Sequence, residues 1–88
     1  MKRLEKIVIG FLRNPSEADF PDVEFLLEAF EFSLDRQESS HVTFKNFPGR
    51  SPPIFTVPLI RGRKVKRHYI RDIVNMLDLE VWYEKNKS

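Results

Sequence analysis

The 88-residue sequence predicts an α+β fold, a two-layer sandwich in which helices pack on one face of a three-stranded antiparallel sheet. Three observations lead there. Apolar residues recur at helical spacing before residue 31 and again after residue 66. Between Phe32 and Pro58 the pattern switches to alternation with period two. The length suits a single domain, and the chain contains no internal repeat or low-complexity tract.

Leu4, Ile7, Val8, Phe11 and Leu12 follow i, i+3, i+4, i+7, i+8 spacing, which predicts an amphipathic helix over 2–13. Asn14-Pro15 stops it, because proline disfavours a helical conformation in the residue before it. A second stripe, Val23, Leu26, Leu27 and Phe30, follows Pro21, a residue suited to a first helical turn, and predicts a helix over 21–31. Phe32 and Leu34 then alternate with Ser33 and Asp35, as a short strand over 32–37 would.

"QESS" reads as a hairpin turn, after which Val42 and Phe44 alternate with His41, Thr43 and Lys45. "NFPGRSPP" is a loop by its Pro and Gly content, and "IFTVP" is a third strand ended by Pro58. "LIRGRKVK" crosses one more turn before a helix over 67–78, whose wide apolar face carries Tyr69, Ile70, Ile73, Val74, Met76 and Leu77. The tail "DLEVWYEKNKS" is expected to fray into charge, with Trp82 either covering the edge of the core or anchoring a partner.

Composition narrows the function classes. With 41% hydrophobic and 32% charged residues the chain is globular rather than disordered. Cysteine is absent, so disulfides and thiolate metal sites are excluded, as suits a reducing compartment. The longest apolar run, "IVIGFL", is too short to span a bilayer, and Glu5 interrupts the weak likeness of the start to a signal peptide. A cytoplasmic protein with no membrane partner is expected. The net charge is only +2, but it is unevenly spread. Between Phe20 and Glu38 acidic residues surround a single Arg36, whereas from Lys45 to Arg71 there is no acid at all. That separation predicts a basic face.

Chemistry concentrates at two places. Alternation puts His41, Thr43 and Lys45 on the face opposite Val42 and Phe44, so the imidazole meets solvent or a ligand. An imidazole, whose intrinsic pKa is about 6.5, can accept and return a proton near neutral pH. Ser39 and Ser40 add hydroxyls beside it. The second place is "RGRKVKRHY", where Lys66, Arg67 and His68 meet the start of the last helix, extended by Arg61, Arg63 and Lys64. Cations and backbone N–H groups at a helix start suit a phosphate. No Gly-rich phosphate loop and no metal-binding spacing is present, and the aromatics sit at core rather than stacking positions.

"RQESSHVTF", "FTVP" and "KVKRHYIRDIVNML", in that order, resemble the HicA toxin family, small RNases of bacterial and archaeal toxin–antitoxin systems. The likeness covers residues 22–79. It implies a fold like a double-stranded-RNA-binding domain, helix–three-stranded antiparallel sheet–helix. In one HicA-like domain, residues 1–19 would be an N-terminal helical extension, 20–79 the core and 80–88 a tail. It further implies that His41 is catalytic and that mRNA is cleaved without metal or other cofactor. Ser40, Lys45, Lys64, Lys66 and Arg67 would hold the RNA, and a HicB-like antitoxin would be the protein partner. In such a reaction His41 takes the 2′-OH proton, the freed oxygen attacks the adjacent phosphorus, and His68 or water protonates the leaving 5′-oxygen.

This chain departs from the family pattern in three places. The glycine before Ser-His is Ser39, the histidine after the catalytic one is Val42, and Leu59-Ile60 stand where a histidine follows "TVP". The alternatives to a toxin endoribonuclease are a non-catalytic RNA- or DNA-binding module on the same fold, and a protein-interaction domain whose basic loop meets an acidic partner.

Overall fold

The computed structural model describes residues 2–87. Helix α1 (Arg3–Leu12) buries Ile7, Val8 and Phe11, the stripe predicted from spacing. Its end coincides with Asn14, which takes a positive φ of 56° before Pro15. Helix α2 (Phe20–Ala29) carries Pro21 in its first turn and buries Phe20, Val23, Leu26 and Leu27. It terminates through paired backbone bonds: Phe32 N–H donates to the Leu27 carbonyl (2.9 Å) and Glu31 N–H to that of Glu28 (3.1 Å). Glu31, at φ 71°, occupies the left-handed position that such a helix end requires.

Strands β2 (Ser33–Glu38), β3 (His41–Lys45) and β4 (Ile54–Pro58) form an antiparallel sheet in the order β2-β3-β4. Strand β1 (Glu17–Asp19), only three residues long, pairs with β5 (Lys64–Lys66) in a separate antiparallel ribbon. Helices α3 (Arg67–Met76) and α4 (Leu79–Asn86) complete the chain. The class is therefore α+β, with four helices, one three-stranded sheet and one two-stranded ribbon among the described residues.

Several expectations need correction. Residues 17–19 and 64–66 are strands, not parts of an extension and a turn. Each contributes one inward residue, Ala18 opposite Val65, too few to register as alternation. The last long helix ends at Met76 rather than 78, because Asp78 turns left-handed at φ 52°. The tail is helical through Asn86 rather than fraying. Leu79, Trp82 and Tyr83 have helical i, i+3, i+4 spacing, and α4 lays them on the core. Trp82 covers the edge, its ring 5.8 Å from that of Phe30 in an edge-on pair.

Strand β2 also breaks its expected alternation. Leu34 faces Phe44 and Arg36 faces Thr43, so Asp35 is an extra residue in a β-bulge. The hairpin turn sets Glu38 opposite His41, and the bulge brings Leu34, not Asp35, opposite Phe44, although Leu34 itself stays 42% exposed.

The core lies between this sheet and the helices. Val42 and Phe44 from β3, Val57 from β4, Val65 from β5, and Ile70 and Ile73 from α3 meet Val8, Leu26 and Leu27 at zero exposure. Phe44 is the largest of them, its ring 6.2 Å from Phe20. No charged or polar side chain is buried among the described residues. Nor is any helix among them long and apolar enough to cross a membrane.

Candidate functional site

Strand β3 is the central strand, hydrogen-bonded on both sides, and its buried residues fix which way the others point. With Val42 and Phe44 locked inside, His41, Thr43 and Lys45 project from the outer face, as alternation requires. His41 is exposed.

Cross-strand partners share a face, so the registers give the surroundings of His41 directly. One row is Glu38, His41 and Pro58. The next is Arg36, Thr43 and Thr56. The Thr43 and Thr56 hydroxyl oxygens lie 3.3 Å apart in a hydrogen bond, and the Arg36 guanidinium lies 3.3 Å from the Glu38 carboxylate. Arg36, Glu38, Ser39, Thr43 and Thr56 line an open depression around the imidazole. It therefore combines an imidazole, hydroxyl groups, one guanidinium and one carboxylate.

The turn itself is two residues, Ser39-Ser40, with Ser39 at φ 57°. A positive φ at the first position of a two-residue hairpin loop favours glycine, so Ser39 carries local strain. Ser40 accepts a backbone bond of 2.7 Å from Leu59 N–H, which ties the turn to the end of β4.

The remaining basic residues are distributed differently from the sequence-based expectation. Lys45 ends β3 four residues from His41, about 13 Å away at some 3.3 Å per residue. Lys64, Lys66 and Arg67 belong to β5 and the start of α3, anchored on β1. The Lys64 ammonium is paired with Asp19, and Lys66 stands opposite Glu17. The hydrogen bond that Lys64 donates to the Asp19 carboxylate, then the charge of that carboxylate, raises the Lys64 pKa above the ordinary 10.5, with a smaller contribution from Glu17. Arg67 donates through Nε to the Pro15 carbonyl (3.2 Å) and through its backbone N–H to that of Ser16 (3.0 Å). That backbone donor of the helix start is thus occupied by the chain itself. Arg63 leans on the Phe20 ring, 5.0 Å from its centroid. His68 sits 3.6 Å from Asp72 and edge-on to Tyr69, outside the depression that holds His41.

The structure thus gathers His41 with Ser39 and Thr43, and separates them from Lys45 and the β5 cations. Arg36, Glu38 and Thr56 complete the group, and motif reading missed all three. The signal was the two-residue turn, since counting back from it pairs Glu38 with His41. Among the described residues, no cluster of three or more His, Cys, Asp or Glu side chains could hold a metal ion. No family model, curated protein or solved structure matches this chain.

Proposed function

We propose that the chain is an endoribonuclease toxin of the HicA type, a cytoplasmic enzyme that cleaves mRNA without metal and is neutralised by a HicB-like antitoxin. The observation that carries this reading is His41, an exposed imidazole held by a rigid central strand inside an open depression of hydroxyls and a guanidinium. On this reading the three-stranded sheet, α2 and α3 form a double-stranded-RNA-binding-domain-like core, with α1 and β1 as an N-terminal addition.

His41 accepts the proton of a ribose 2′-OH. The 2′-oxygen then bonds to the adjacent phosphorus and the bond from phosphorus to the 5′-oxygen breaks. The products are a 2′,3′-cyclic phosphate and a 5′-hydroxyl, and water supplies the proton for the leaving oxygen because His68 lies outside the depression. Ser40, Lys45 and Lys66 hold the RNA backbone, with Lys64 and Arg67 at its margin. Their contribution is electrostatic, so affinity falls steeply with salt.

The deciding assay is cleavage of a structured mRNA fragment in EDTA by wild type and His41→Ala. Wild-type cleavage to 2′,3′-cyclic phosphate ends, lost in the variant, supports the nuclease. Equal RNA binding without cleavage by either protein assigns the chain to a non-catalytic RNA-binding module instead.

A further inference from the structure

We propose that Arg36 is the phosphate-binding cation of the His41 site, and that Glu38 is a resident counter-ion that releases it when RNA binds. The catalytic half of this inference rests on the nuclease reading, whereas the phosphate-binding half does not.

A site that moves charge onto phosphate oxygens needs a cation within reach of the proton acceptor. The basic stretch conspicuous in the sequence does not provide it. Lys64 is paired with Asp19, Arg67 is bonded to Pro15, and neither lines the depression. Lys45 projects from the far end of β3. Among the described residues Arg36 alone brings a permanent positive charge to that depression.

Its position follows from the fold. Arg36 faces Thr43 while His41 faces Glu38, which makes Arg36 and His41 diagonal neighbours on one sheet face. Such neighbours lie about 7–8 Å apart at Cα, a gap that one phosphate group and an arginine stem fill. The planar guanidinium suits two phosphate oxygens at once, as a lysine ammonium does not. Thr43 and Thr56 place hydroxyls in the row that Arg36 itself occupies.

The ion pair with Glu38 is readily exchanged. Arg36 and Glu38 side chains are 67% and 72% exposed, and so open an ion pair is weak. A phosphate that also bonds the threonines and approaches His41 can displace the carboxylate. In the reaction the 2′-oxygen gains its bond to phosphorus, the 5′-oxygen loses one, and the 2′-OH proton passes to His41. The extra negative charge on the non-bridging oxygens then faces Arg36.

The test compares wild type with Arg36→Ala, Arg36→Lys and Glu38→Gln in two measurements. The first is affinity for a non-cleavable 2′-deoxy oligonucleotide across a salt series, which reads phosphate binding with or without turnover. Arg36→Ala is expected to weaken binding about five- to tenfold and reduce the salt slope by about one, with Arg36→Lys between and Glu38→Gln tighter than wild type. The second is the single-turnover cleavage rate on RNA, expected to fall about 10²–10³-fold in Arg36→Ala. Unchanged affinity and rate in Arg36→Ala overturn the proposal while leaving the nuclease reading intact. If wild type cleaves nothing, the nuclease reading falls, and affinity alone decides Arg36: unchanged binding and slope overturn it.

Discussion

His41 stands directly opposite Glu38, the two residues that close the Ser39-Ser40 turn and the last pair of the β2–β3 ladder. This pairing places the proposed proton acceptor at the tip of a hairpin whose turn residue is conformationally strained. It links the stability of the turn to the position of the imidazole.

Replacing Ser39 with glycine should therefore stabilise the protein. A left-handed residue other than glycine costs about 1–2 kcal/mol, and glycine's greater unfolded-state entropy takes back roughly 0.5–1 kcal/mol. A net gain of about 0.5–1 kcal/mol is expected for Ser39→Gly, read as a higher urea midpoint at unchanged slope. A lower midpoint would show that the Ser39 side chain contributes more to the turn than its strain removes.

Neighbouring residues of β3 should respond in opposite ways. Phe44→Ala empties the largest fully buried side chain and is expected to lose about 3–5 kcal/mol. His41→Ala, on the exposed face of the same strand, should change stability by no more than about 0.5 kcal/mol. Urea titrations of the two variants test this, and they also establish that a loss of activity in His41→Ala is not a loss of fold.

The Lys64–Asp19 pair predicts a pH dependence at the alkaline end. The folded pKa of Lys64 is raised above the unfolded value of 10.5, chiefly by the hydrogen bond it donates to Asp19. The folded state therefore holds this proton more tightly. The pair's stabilisation is fully present below 10.5 and is lost as pH rises through the raised folded value. Thermal melts of wild type and Lys64→Met from pH 9 upward should converge as alkali removes the pair. Parallel curves would place the anchoring of β5 on β1 elsewhere, in Val65 and the backbone.

Helix α4 supplies a spectroscopic prediction, because Trp82 is the only tryptophan of the chain. Trp82→Ala should cost about 2 kcal/mol, less than a fully buried tryptophan, since the ring is half-buried against Phe30. In the wild type, Trp82 fluorescence and far-ultraviolet circular dichroism should report one coincident unfolding transition. An earlier fluorescence transition would mean that α4 detaches before the core melts.

Strand β3 was legible residue by residue. Val42 and Phe44 alternate with His41, Thr43 and Lys45, and an isolated run of that kind permits one orientation only, apolar side in. Helices α1, α2 and α3 were legible for the same reason, as each carries enough apolar residues at one period to define a face. The exposure of His41 follows from these local patterns alone.

The composition of its surroundings does not. Arg36 reaches the outer face beside His41 through the turn register, and the bulge at Asp35 hides this from any count of alternation begun at Phe32. The pairing of the Lys64 ammonium is still less local, since Asp19 lies 45 residues away and each strand of their ribbon has three residues. The sequence by itself determined the buried faces of α1, α2, α3 and β3 and that His41 lies on the opposite face of its strand, because those faces are recorded in short-range periodicity. Only the tertiary structure decided which cation stands beside His41, because pairing between distant strands leaves no period in the chain that forms it.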